Sequence, residues 1–131
     1  MSTGVTTFGF AAVGIGAALG GWARWMLGIL LSPIFPAIPL GTLASNLLGG
    51  YLVGVAVEYL GRHGGLPPEM RLFVITGFLG GLTTFSSYSA EAVGLLYRDQ
   101  LGLFVVHLAA HLGGSLLLTI LGIYTVRALQ L

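Results

Sequence analysis

The chain lacks cysteine, lacks lysine and has almost no charge: 131 residues carry only five arginines and four acids. Without cysteine there are no disulfides, no thiol chemistry and no thiolate metal site, and the redox compartment is unreadable. Without lysine, and with scattered arginines, there is no basic patch for nucleic acid. A nucleotide-binding GxxxxGK[ST] loop is absent, and a chain without lysine cannot supply one. Charged residues are 7% of the chain and hydrophobic ones 56%, with mean hydropathy +0.97. A soluble domain carries roughly a quarter charged residues. The composition therefore indicates an integral membrane protein. The segment from Met1 to Thr7 has no positive charge, so a cleaved signal peptide is not expected.

What is present is apolar length. A spanning helix needs about 20 apolar residues. Four windows supply them, at about 8–31, 40–60, 70–97 and 101–128. Ser32-Pro33, Gly61-Arg62-His63-Gly64-Gly65 and Pro67-Pro68-Glu69 punctuate them as turns should. The expected architecture is all-α, one four-helix membrane domain over residues 1–131 with no internal repeat. Arg62, Arg71 and Arg127 fall on one side of such a layout, against Arg98 and Arg24 on the other. That balance is too even to fix orientation by the positive-inside rule. Gly16 and Gly20, Gly50 and Gly54, and Gly77 and Gly81 have GxxxG spacing, which lets helices approach closely. The expectation drawn from them is homo-oligomerisation.

The third window is unusual. Residues 77–89 hold three glycines and, besides Tyr88, five hydroxyl side chains where a lipid-facing helix would be Leu and Val. Gly80-Gly81 weakens a helix, so a break near mid-membrane is expected, facing protein or a pore. Broken helices at that depth are common ion sites. Beyond it, Thr84, Ser87 and Glu91 share one helical face, and Phe85 and Tyr88 the next. Phe85 and Tyr88 would serve as core packing, or turn their positive ring edges toward an anion. Glu91 would pair with an arginine, cap a polar path or meet water.

Other polar residues lie inside the spans. Thr42 and Asn46 are one turn apart, continued by Gly49 and Gly50. Asn46 suits an interhelical hydrogen bond, or donation to a ligand. His107, His111, Ser115 and Thr119 form one stripe at i, i+4, i+8, i+12. The histidines have metal-ligand spacing, but no third ligand stands near them in sequence, so a polar path or an interface is the better reading. Arg24, with Trp22 and Trp25, suits interfacial snorkelling or a charged pore mouth. No motif assembles a hydrolytic triad, and the chain does not read as an enzyme. An anion path needs amides, hydroxyls and ring edges rather than a fixed cation that would hold the ion too tightly. That is the set present.

Three stretches carry a resemblance: Gly20-Gly21-Trp22-Ala23-Arg24-Trp25, Gly41-Thr42-Leu43-Ala44-Ser45-Asn46-Leu47-Leu48-Gly49-Gly50, and Thr76-Gly77-Phe78-Leu79-Gly80-Gly81-Leu82-Thr83-Thr84-Phe85-Ser86. They resemble, in order and spacing, the signatures of the Fluc (CrcB) fluoride channels, and the likeness covers essentially the whole chain. It implies a dual-topology, antiparallel homodimer in the inner membrane of a prokaryote, with two pores exporting cytoplasmic fluoride passively. It also implies a structural Na⁺ on the twofold axis, held by the backbone carbonyls of Gly80 and Thr83. The fluoride-lining residues it implies are Asn46, Phe85 and Tyr88, with Thr42, Thr84, Ser87 and Arg24 nearby. Tyr88 departs from the usual Phe, and His107 and His111 replace Tyr- or Ser-like residues of the polar track that continues to Ser115. The alternative is a dual-topology small-multidrug-type exporter, which would want an acid in the middle of the first span; this chain has none.

Overall fold

The computed structural model describes residues 4–131. Its elements are all helical, with no strand among the described residues. Helix α1 spans Thr7–Leu31, and Thr6 caps it by accepting the Gly9 N–H on its hydroxyl at 3.0 Å. A short 3₁₀ turn, Ser32–Ile34, built on Pro33, leads to α2, Leu40–Arg62. Helix α3 covers residues 68–82, α4 is Phe85–Tyr97, and α5 is Leu101–Ala128. Three stretches, Thr7–Ile34, Leu40–Arg62 and Leu101–Ala128, are long and apolar enough to cross a membrane. The apolar stretch between them is divided into α3 and α4, neither long enough alone.

The molecule is apolar on its outside. Phe8, Phe10, Leu116, Leu117 and Ile120 are exposed, whereas only eight hydrophobic residues among those described are buried. That distribution suits a hydrocarbon surround rather than water.

The helices meet through backbone. Helix α1 packs along α3, and α2 along α5. A Cβ on Gly16 would sit 2.5 Å from Phe73 O and 2.8 Å from Phe78 N; one on Gly77 would sit 2.9 Å from Val13 O. Gly50 lies likewise against Ser115, and Gly54 against the Thr119 carbonyl. All three GxxxG pairs are thus used inside one protomer. The spacing marks a close-packing face, and here the face meets a helix of the same chain.

Hydroxyls tighten the α2–α5 seam. Thr119 Oγ1 lies 2.8 Å from Gly50 O and 2.9 Å from Ser115 O. Ser115 Oγ donates weakly to Asn46 O at 3.5 Å. Replacing Thr119 by Val keeps the shape and removes the donor. Interhelical hydrogen bonds in membranes average about 0.6 kcal/mol, so a drop of about 1 kcal/mol or less is expected in a detergent-unfolding titration. At the far end of the seam, Glu58 accepts from Arg62 Nε at 3.1 Å and Arg127 Nε at 3.0 Å, tying the ends of α2 and α5.

Candidate functional site

The site forms where helical hydrogen bonding stops. Gly80 keeps helical angles (φ −62°, ψ −37°). The extended residues are Thr83 (φ −91°, ψ 154°) and Thr84 (φ −150°, ψ 119°). The interruption therefore falls after the glycine pair. Upstream, residues Leu72–Leu79 already run with wide, π-type hydrogen bonding, a feature often found at functional sites.

An extended pair inside an apolar bundle exposes backbone groups that must be satisfied. Asn46 does this with one amide. Its Oδ1 accepts the Thr84 N–H at 2.8 Å, and its Nδ2 donates to Thr84 O at 3.0 Å. Thr84 Oγ1 then accepts the Ser87 N–H at 3.2 Å and caps α4. On the other side, Arg24 Nε donates to Gly81 O at 3.1 Å. Arg24 is thus anchored on the end of α3; it neither snorkels freely nor lines the groove described next.

The Thr84 N–H fixes which end of the Asn46 amide is oxygen. Its Nδ2, 3.0 Å from His111 Nδ1, must therefore be the donor. His111 Nδ1 is the acceptor, so in the neutral ring the proton sits on Nε2. Both N–H groups of Asn46 are then engaged, one on Thr84 and one on His111.

A groove of about 410 Å³ opens beside this network, and Asn46, Thr84, Phe85, Tyr88, His111 and Ser115 line it. Gly80 and Thr83 reach the same groove. Phe85 is 76% exposed there. Its ring meets Tyr88 edge-on, with centroids 5.6 Å apart. Tyr88 stacks on His111 at 4.5 Å and His107 at 5.4 Å. Beyond Tyr88, Thr42 Oγ1 donates to Glu91 Oε2 at 2.6 Å, and Glu91 Oε1 stands 3.4 Å from His107 Nε2.

So the fold brings together Asn46, Thr84, Phe85, Tyr88, His111 and Ser115, with Thr42 and His107 behind them. Ser87 contributes its backbone N–H to the cap of α4 and does not line the groove. Glu91, left open by the sequence, stands between Thr42 and His107. The Thr84, Ser87, Glu91 face was legible, but its meeting with Thr42 and His107 required the fold. No sequence signal announces the π-type turn at Ala109–Gly113 that carries His111.

A chain of membrane-length apolar helices wrapped around a polar seam of amide, hydroxyl and imidazole groups is an integral membrane protein with an internal polar site. It belongs to the CrcB-like protein family (Camphor Resistance, CrcB), whose pattern matches residues 11–123. A protein of Ralstonia pickettii (strain 12J) named fluoride-specific ion channel FluC is 62% identical over 119 residues, covering 91% of this chain and 94% of the relative. Channels of the same name from Nitrosospira multiformis and Thiobacillus denitrificans are 59% and 53% identical, each over 92% of this chain.

Proposed function

We propose that this chain is a fluoride-selective channel, a transporter rather than an enzyme, that lets cytoplasmic fluoride leave a prokaryotic cell passively across its inner membrane. The observation carrying the reading is the groove in which Asn46 N–H, hydroxyls and the Phe85 and Tyr88 rings converge with no fixed cation. Relatives named fluoride-specific ion channels align with nine-tenths of the chain at 59–62% identity.

Fluoride must lose strong hydration to enter such a groove, and weak donors must replace it step by step. Conduction needs binding that is favourable yet easily released. The Asn46 N–H held by His111 Nδ1 provides that balance: fluoride, a strong acceptor, competes with a ring nitrogen for one proton. The electropositive ring edges of Phe85 and Tyr88 add shared, weak attraction. Chloride is larger and a poorer acceptor, so it gains less from the same exchange.

The functional unit in this reading is an antiparallel homodimer with two pores. The near-even arginine balance permits insertion in both orientations. The exposed Phe85 and the open groove offer a face for a second copy, and the interrupted third span puts Gly80 and Thr83 on that face. Their carbonyls fit a structural Na⁺. Thr83 N–H goes to Leu79 O at 3.0 Å and Thr84 N–H to Asn46, so neither reaches Gly80 O. The Ser87 N–H that a continuous helix would send to Thr83 O is held by Thr84 Oγ1. Carbonyls freed in this way suit a hard cation, which would bridge two subunits and steady the interruption.

Purified protein in liposomes, loaded with fluoride or chloride and read by electrode, tests the proposal. Fluoride should leave rapidly and chloride stay. Comparable chloride flux, or no fluoride flux, would overturn it. Phe85→Ile should slow fluoride by about tenfold, corresponding to ~1.4 kcal/mol at the barrier, with the dimer intact by crosslinking.

A further inference from the structure

Behind the groove, four buried side-chain atoms have no hydrogen-bond partner among the described residues: Glu91 Oε1, both ring nitrogens of His107, and His111 Nε2. His107 is 0% exposed and His111 3%. Unpartnered polar atoms at such depth are costly, and a common guest held by all three residues would offset that cost. One ligating atom from each of Glu91, His107 and His111 lies within 4.8 Å of the other two. Two imidazoles and a carboxylate suit a borderline divalent ion, Zn²⁺ before Mg²⁺ or Ca²⁺, which prefer all-oxygen shells. Ligands at ~2.0–2.2 Å around tetrahedral Zn²⁺ stand about 3.4 Å apart. Glu91 Oε1 and His107 Nε2 are already 3.4 Å apart. Thr42, donating to Glu91 Oε2 at 2.6 Å, orients the carboxylate as an outer partner should. The Glu91 side chain is 19% exposed, so the cluster is not sealed on that side.

We propose that Glu91, His107 and His111 form a divalent transition-metal site, and that the ion and Asn46 compete for His111. The competition follows from proton accounting on one ring. With Asn46 donating to Nδ1, the neutral ring carries its proton on Nε2. An ion bound at Nε2 drives that proton to Nδ1, setting N–H against N–H. An ion bound at Nδ1 takes the lone pair that Asn46 uses. Either way the Asn46–His111 bond is lost, while Thr84 keeps the amide from turning over. Metal occupancy thus disturbs the amide at the centre of the groove and places positive charge beside it. On the fluoride-channel reading above, the ion would trap the anion and slow its passage.

Full-length protein purified in detergent should bind Co²⁺ with visible d–d absorption, and Zn²⁺ should displace it. Glu91→Gln and His107→Gln should weaken binding by about tenfold or more, ~1.4 kcal/mol, and Asn46→Ala should tighten it by removing the competitor. Absent Co²⁺ absorption, or a His107→Gln protein binding as the parent does, would overturn the site. Unchanged affinity in Asn46→Ala would overturn the competition. In liposomes, Zn²⁺ should slow fluoride efflux of the parent and leave that of His107→Gln unslowed; equal slowing in both would overturn a block through this site. The binding arms need no flux, so they stand or fall separately from the channel reading.

Discussion

Asn46→Asp, a change of one NH₂ to one oxygen, is expected to reduce fluoride flux to the level of empty liposomes. The Oδ1 bond to the Thr84 N–H at 2.8 Å survives. The other position, formerly a donor 3.0 Å from both Thr84 O and His111 Nδ1, becomes an acceptor facing two acceptors. His111 can recover by moving its proton from Nε2 to Nδ1 and donating. Thr84 O has no proton to offer; as the N-cap carbonyl it keeps the first intrahelical bond of α4 but now faces a carboxylate oxygen across the site. The carboxylate also puts negative charge where fluoride must pass. Asn46→Ala leaves the Thr84 N–H unpaired, which costs about 1–3 kcal/mol, but adds no charge. It should therefore lose stability in a thermal melt while retaining more flux than the Asp variant. Parent-like flux in Asn46→Asp would remove the Asn46 amide from the pathway.

The helices were legible because apolar length and punctuation act locally. The apolar windows at 8–31 and 101–128 closely match the helices Thr7–Leu31 and Leu101–Ala128. The interruption of the third window was read from Gly80-Gly81, yet those glycines are helical and the threonines are extended. Glycine lowers helix propensity without dictating where a helix stops. The better signal was Thr84 with Ser87 three residues on, the spacing of an N-cap, reinforced by an Asn on a neighbouring helix. The glycine pairs were legible as packing faces, but spacing identifies a face and not its partner. For the same reason, His107 and His111 showed their shared face, while Glu91 on another helix could not be placed beside them.

Gly20→Val is expected to have the largest effect of any small apolar substitution, because Gly20 holds α1 against the part of α3 that leads into the interruption. A Cβ there would overlap Phe78 O and stand 2.8 Å from Leu82 N and 3.0 Å from Phe78 C. Those are backbone atoms, which cannot swing aside as a flexible side chain can. Relief requires α3 to move bodily away from α1. Neighbouring bonds have little slack: Arg24 holds Gly81 O at 3.1 Å, and Asn46 holds Thr84 at 2.8 and 3.0 Å. Overpacking costs about 1–3 kcal/mol and sometimes more, and displacing Thr84 would add the loss of the Asn46 pair. A drop of about 3 kcal/mol or more is therefore expected, read as loss of monodisperse protein or of the thermal transition. Gly20→Ala brings the same Cβ without the two further methyl groups, so it should lose fluoride flux and part of the stability, since the strain is directed at Thr83 and Thr84. Gly14→Val is the control: it lies on the same helix, where an added Cβ meets nothing within 4 Å. If Gly14→Val and Gly20→Val were equally tolerated, the close α1–α3 contact would not be what positions the site.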